Sequence, residues 1–378
     1  MHLIDSSNSF SANIINVTND LRCKPAHDGA LDFAFVVHPR YLSDILLPYA
    51  DQSELEEEVI LENASRFNVH VLSAIEARFN GKILRGELIS IPYLARDFRG
   101  KLKAVQQSLF DVLDYCTRRQ TRIMGLGALL PSITHSGTML AARSTSVGIT
   151  TGHTYTAVVI ADQIRKLEQL LGTSRIAIVG AAGSVGCATV ACLGMDGKQR
   201  QLLLVDLPNR IKTLEANDCT LVTTNLSDIK NSAIVVCVTN SITTIIEPEH
   251  LAPGCVVIDD AQPENISIET IRQRPDIFVL KCLARIPSLR CPFDFNLFMP
   301  DEIDEKQNLV FTCLAETILL AADNHNGHFT VGAPTRDQLY KLTQLAKKFD
   351  VGIAPFHSFK EIGEVEKHLY FSDALSKN

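Results

Sequence analysis

The sequence predicts an α/β protein, a Rossmann-type doubly wound parallel sheet joined to a second, mixed α/β substrate domain. Three observations predict it. The apolar run Arg175-Ile-Ala-Ile-Val179 leads directly into Gly180-Ala-Ala-Gly183-Ser-Val-Gly186. The next apolar run ends in an acid, Asp206. Further short apolar runs follow at 219–223, 233–238, 255–259 and 277–281, spaced for intervening helices. Right-handed crossovers then give the strand order 3-2-1-4-5-6, with ligand at the carboxyl ends of the strands.

Each part of that βαβ unit has a chemical reason. Glycines let the backbone approach a pyrophosphate, and the helix start offers unpaired N–H groups and the positive end of a dipole. The expected cofactor contacts are therefore Gly180, Ala182, Gly183, Ser184, Val185 and Gly186. Asp206 is placed to accept hydrogen bonds from ribose hydroxyls. Thr239, Asn240 and Asp259, at the ends of later strands, are expected at the same crevice; plain loop polarity is the alternative for them.

Ahead of this unit the chain mixes both structures. Phe33–Val37, Val69–Leu72 and Ile83–Ile91 read as strands. Asn80-Gly81 between two apolar stretches predicts a tight hairpin. Ser53–Ala64 carries acids and apolars at helical spacing. In 100–117, Leu102, Val105, Leu109, Val112 and Leu113 fall on one helical side. A helix over 154–171 leads into the fingerprint, and 301–324 and 335–349 hold two more that are expected to return to the first domain. The expected organisation is a flexible extension at 1–30, a substrate domain at 31–150 completed by 301–356, a dinucleotide domain at 151–300, and a tail at 357–378.

Composition excludes other classes. The net charge of −7 gives no drive toward nucleic acid or an anionic membrane. Ten cysteines without a Cys-x-x-Cys pair suggest neither a zinc site nor a dithiol, and indicate a reducing compartment. The first residues lack the pattern of a signal peptide, and no apolar stretch reads as a membrane span, so a cytoplasmic location is expected. His325 and His328 bracket Asn-Gly, which suits a turn rather than a metal.

A nucleotide fold does not name a reaction. The richest constellation lies in Phe311-Thr-Cys313-Leu-Ala-Glu316-Thr317. Cys313, Glu316 and Thr317 share one helical face, with Phe311, Leu314 and Ile318 opposite. That face offers a nucleophile one turn from an acid or base, or else an ordinary core cysteine. Gln163, seven residues after Thr156, is expected either to hydrogen-bond a substrate carbonyl or to lie on a solvated face. His153 beside Gly152 is either an acid–base group or a turn residue. Arg96, Arg99, Lys101 and Lys103 form a basic stretch suited to an acidic partner, or a solvated helix face.

With these motifs in place the chain resembles a known family. Gly81-Lys-Ile-Leu-Arg-Gly86, Gly125-Leu-Gly-Ala128, Thr150-Thr-Gly-His-Thr-Tyr-Thr156, the fingerprint and Cys313-Leu-Ala-Glu316 are similar, in order and spacing, to the cyanobacterial long-chain acyl-[acyl-carrier-protein] reductases. The resemblance runs from about 31 to 356. It implies an NADH- or NADPH-dependent reduction of an acyl thioester, on acyl carrier protein or coenzyme A, to an aldehyde. Cys313 falls on the family's catalytic cysteine and Gln163 on the family's glutamine in the helix before the fingerprint, and a downstream aldehyde-consuming enzyme is an expected partner. Three departures qualify it. Asp206 replaces a run suited to a 2′-phosphate, which leans toward NADH, while Arg210 nearby leans the other way. His153 replaces an asparagine, and the extension and tail have no counterpart. Two rivals remain: a dehydrogenase of a small carbonyl or amino compound, built like shikimate or amino-acid dehydrogenases, and a non-catalytic NAD-binding partner protein.

Overall fold

A computed structural model describes residues 25–39, 67–173, 175–292 and 308–356. The helix expected at Ser53–Ala64, most of the N-terminal extension, the start of the 301–324 stretch and the tail lie outside the described residues.

The first part of the chain forms β1 (Phe33–Val37), β2 (His70–Phe79), β3 (Lys82–Ser90), α1 (Leu102–Arg118), β4 (Ile123–Leu126), α2 (Leu130–Ile133), α3 (Thr138–Arg143) and β5 (Gly148–Thr150). A long helix, α4 (His153–Leu171), leads into β6 (Arg175–Val179), α5 (Ser184–Gly194), β7 (Gln201–Val205), β8 (Thr220–Thr223), β9 (Ile234–Cys237), β10 (Val256–Asp259), α6 (Ile268–Gln273) and β11 (Phe278–Leu280). The chain then returns through β12 (Leu283–Arg285), β13 (Leu289–Arg290), β14 (Leu309–Phe311), α7 (Thr312–Ala322), α8 (Arg336–Lys348) and β15 (Gly352–Ile353).

The second sheet has the order β11-β10-β9-β6-β7-β8, all parallel. Counted from β6 this is 3-2-1-4-5-6 read backwards, the doubly wound order expected. The first sheet runs β13-β2-β3-β1-β4-β5 and is mixed. Its β2–β3 hairpin turns through Asn80 at φ 49° and Gly81 at φ 81°, the two positive values a type I′ turn needs. β12, β14 and β15 form a small antiparallel sheet.

Strand alternation explains how the layers join. Phe33 and Phe35 of β1, and Ile176 and Ile178 of β6, enter one continuous core together with α4 and α7. The intervening Ala34 and Val36 pack toward α1, and Ala177 and Val179 toward the far side of the second sheet. α7 lies against β1 and β4, and α8 against α4 and α5. Leu102 is exposed rather than on the buried side of α1, because α1 begins there and its first turn overhangs the core.

Two buried ion clusters brace this frame. Arg200 donates to Glu168 and Asp196, all within 3.0 Å, fixing the end of α4 to the segment before β7. Glu87, wholly buried, receives Tyr115 Oη at 2.7 Å and Arg119 at 3.1 Å, and Arg119 also reaches the carbonyls of His27 and Gly29. Among the described residues no helix is long and apolar enough to cross a membrane.

Candidate active site

The turn after β6 is built by close packing. Gly180 sits at φ 89°, and a Cβ on Gly186 would overlap the Gly180 carbonyl oxygen. The first helical bond of α5 runs from Cys187 N–H to Gly183 O at 2.9 Å. The N–H groups of Ser184, Val185 and Gly186 therefore lie at the helix start, where no intrahelical acceptor exists. Asp206 Oδ2 accepts the Ala182 N–H at 2.8 Å, and Arg210 donates to the Ala182 carbonyl at 3.0 Å. Both side chains thus clasp the same fingerprint residue. Free N–H groups, tight glycines and a strand-end acid fit a dinucleotide pyrophosphate and ribose.

Beside this turn a cavity of about 130 Å³ opens between the two sheets. Phe35, Leu72, Leu88 and Leu126 give it an apolar wall from the first sheet. Val185, Thr239, Asn240, Asp260 and Gln262 border it from the second. Thr151, His153, Thr156 and Cys313 complete it.

Cys313 is the second residue of α7 and half-buried at the cavity wall. Its neighbour Thr312 bonds Thr156 Oγ1 at 2.7 Å, locking the starts of α7 and α4 together. Burial pushes the Cys313 thiol up to about 12, with the Asp260 charge adding to the effect. The N–H groups of Leu314, Ala128 and Cys313 itself act the other way. The sulfur is therefore a thiol at rest, facing donors that would favour a thiolate once formed.

His153 opens α4 and places Nδ1 2.9 Å from Ser184 Oγ, so it bridges the two helix starts. Burial lowers its pKa to about 4 and keeps the ring neutral. Thr239 lies at the cavity with its hydroxyl donated to Asn265 at 2.7 Å; Asn240 is exposed at the rim.

Three expected residues stand elsewhere. Glu316 is wholly buried and does not border the cavity. Its carboxylate accepts from Thr150 Oγ1, from Thr330 Oγ1 at 2.7 Å and from the Tyr155 N–H at 2.8 Å. It fastens the end of β5 and the segment after α7 to the first turn of α4. Gln163 is also buried, donating to the Lys281 carbonyl at 3.1 Å. Seven residues along a helix is a rise of about 10 Å, which carries it past the cavity. Asp259 is wholly buried and accepts the N–H groups of Ala261, Asn265 and Ile266, so it organises its own loop.

The cavity carboxyl is the next residue. Val256 and Ile258 face the shared core, so strand alternation sends Asp260 to that side and Asp259 to the other. Burial pushes Asp260 up to about 8, against the nearby Lys281 and with Asp259 adding to the rise. That alternation was readable along Cys255–Asp260. The places of Thr151 and Gln262 at the cavity, and of the Ala128 N–H at Cys313, carry no such signal. Among the described residues no group of three or more His, Cys, Asp or Glu is arranged to hold a metal ion.

No protein-family model matches the chain. It is 24% identical over 363 residues to the aminotransferase PigE of Serratia sp. (strain ATCC 39006), covering 88% of this chain but only 40% of that protein's length. It is 23% identical over 266 residues to the long-chain acyl-[acyl-carrier-protein] reductase of Synechococcus elongatus, covering 67% of this chain and 77% of that one. Among solved structures, the NAD-dependent malic enzyme of Thermotoga maritima aligns over 98% of this chain and 93% of its own, with 12% identity and a TM-score of 0.41. Strand order, fingerprint geometry and the cavity at the strand ends together make this an α/β chain with a Rossmann-type sheet whose residues fit a dinucleotide cofactor.

Proposed function

We propose that the chain is an NAD(P)H-dependent oxidoreductase that reduces an acyl thioester to an aldehyde through an acyl-enzyme on Cys313. The observation that supports it best is that the Cys313 thiol shares one cavity with the strand ends of the dinucleotide sheet. The similarity to an acyl-[acyl-carrier-protein] reductase supports the substrate class.

In its ionised form, which gains as pH rises toward about 8, Asp260 takes the thiol proton as Cys313 attacks the thioester carbonyl. The proton passes to the departing thiolate, leaving the acyl group on sulfur. A reduced nicotinamide, when bound at the fingerprint, would supply a hydride, the two electrons that separate a thioester from an aldehyde. Ser184, Val185 and Gly186 would hold the pyrophosphate and Asp206 the ribose. Cys313 is then released as thiolate beside the Ala128 and Leu314 N–H groups and regains a proton. Asp206 favours NADH; Arg210, touching the same residue, is the group that would accept a 2′-phosphate. The carrier is acyl carrier protein or coenzyme A, and the basic stretch Arg96–Lys103 suits an acidic carrier. An aldehyde is also a carbonyl that transamination can consume, in keeping with the likeness to an aminotransferase.

Intact-protein mass spectrometry tests this. The protein is incubated with acyl-coenzyme A of several lengths, and with acylated carrier protein, without cofactor. One acyl adduct at Cys313, discharged by NADH or NADPH and missing in Cys313→Ser, is expected. No adduct from either carrier would overturn the thioester reading in favour of a non-covalent dehydrogenase or a non-catalytic nucleotide-binding protein.

A further inference from the structure

The threonines around the nucleophile are almost all paired. Thr150 bonds Glu316, Thr154 and Thr330 bond each other at 2.7 Å, and Thr156 bonds Thr312 at 2.7 Å. Thr151 is the exception. It is wholly buried, and its Oγ1 has no hydrogen-bond partner. Its N–H is already given to the Thr330 carbonyl at 3.0 Å, so the hydroxyl is its remaining donor.

The surroundings of Thr151 are specific. Thr151 borders the cavity that holds Cys313. The next residue, Gly152, packs its Cα directly on Cys313. The Thr151 methyl lies toward Gly137, where a Cβ would come within 3.1 Å of it. A buried hydroxyl without a partner costs stability, and such groups in a native protein call for a functional or solvent-based explanation. Imidazole nitrogens beside this cavity are engaged elsewhere. His38 has both ring nitrogens engaged, by Pro39 O at 2.9 Å and the Leu129 N–H at 3.4 Å, and His153 turns Nδ1 to Ser184.

We propose that Thr151 is a further catalytic residue, whose hydroxyl donates a hydrogen bond to the carbonyl oxygen of the acyl group at Cys313 as negative charge gathers there. The inference rests on the thioester reading above. When sulfur adds to the carbonyl carbon, the C=O π pair moves onto oxygen. When the tetrahedral adduct collapses, the pair returns and the carbon–sulfur bond to the departing thiolate breaks. The Thr151 proton stays on its own oxygen throughout. The donor is therefore most useful at the charged stage, which is the condition for raising kcat rather than lowering KM.

The test compares Thr151→Val, which keeps the shape and removes the hydroxyl, with Thr151→Ser, which restores it; Thr151→Ala stands in if the valine variant does not fold. Steady-state reduction and the rate of Cys313 acylation are measured with acyl-coenzyme A, alongside thermal melting. The expected result is a loss in kcat of roughly 10²–10³-fold for Val or Ala. KM should change little, Val should melt at or above the wild-type temperature, and Ser should recover most of the rate. Wild-type kcat in the valine or alanine variant, or a serine variant as slow as valine, would overturn the role of Thr151 alone. Absence of any acyl adduct on the wild-type protein would overturn it together with the thioester reading.

Discussion

Gly152 and Cys313 are in direct contact, with no room for a side chain between them: a Cβ at 152 would overlap the Cys313 Cβ. Gly152 also holds φ at 78°, in the left-handed region. Gly152→Ala therefore meets two penalties, backbone strain of roughly 1–2 kcal/mol and displacement of the sulfur. A lower urea midpoint is expected, with acylation of Cys313 falling by a larger factor than the folded fraction. An alanine variant acylated at the wild-type rate would show that the contact does not set the position of the sulfur.

Asp260 makes stability depend on pH. An unfolded aspartate ionises near 3.8, whereas burial keeps the folded carboxyl protonated up to about 8. Between those values the unfolded chain has shed a proton that the folded chain still holds. Stability from this group is thus full below about 3.8 and lost as pH rises through about 8. Asp260→Asn removes that dependence while Lys281, Asp259, Cys282 and Cys313 remain around it. Its melting temperature should gain on the wild type between pH 4 and pH 8. Parallel pH curves for the two proteins would exclude a protonated Asp260. Acylation should meanwhile slow by roughly 10²–10⁴-fold if the carboxyl carries the thiol proton.

Asp206 has a structural bond and a proposed reading function, and two substitutions separate them. Asp206→Asn keeps an acceptor for the Ala182 N–H but loses the charge, whereas Asp206→Ala loses both. The asparagine variant should shift the NADPH-to-NADH ratio of kcat/KM by roughly tenfold, about 1.4 kcal/mol, with little loss of NADH binding. The alanine variant should weaken both cofactors. Identical ratios in all three proteins would mean that Asp206 does not discriminate at the ribose.

Arg119→Met leaves the Glu87 carboxylate buried without its cation. Removing one partner of a buried pair typically costs about 3–5 kcal/mol. The denaturation midpoint should fall accordingly. Protease cleavage at 25–30 should rise, since Arg119 holds the His27 and Gly29 carbonyls. An unchanged midpoint would show that solvent replaces the guanidinium.

The strands of the dinucleotide sheet were readable because a parallel sheet covered on both faces makes each strand a short apolar run. β6, β9 and β10 lie where such runs stand. The hairpin at Asn80-Gly81 and the start of α8, where Thr335 and Gln338 form a capping box, carry local chemistry of their own. β13 carries no comparable signal. It is two residues, Leu289 and Arg290, and exists only because β2 offers a free edge. The site was harder to read for two reasons. α7 is apolar almost all round and buried from Leu314 through Ala321, so helical spacing groups Cys313 with Glu316 without saying which of them meets the cavity. Gln163 shares a helical face with Thr156, and a face says nothing about depth along the axis.

Glu316 ties three distant stretches of chain to one carboxylate: the end of β5 through Thr150, the first turn of α4 through Tyr155, and the segment after α7 through Thr330. Replacing Glu316 by an apolar residue is not neutral, because it removes the shared acceptor of two buried hydroxyls and a backbone N–H. Over evolutionary time Glu316, Thr150 and Thr330 are thus expected to drift as a set, retained together or exchanged together for a set that still accepts the Tyr155 N–H. The apolar wall of the cavity beside Cys313, made of Leu72, Leu88 and Leu126, carries no such shared bond and is free to vary one position at a time. The shape of the cavity can therefore diversify in this fold while the seat of Cys313 stays as it is.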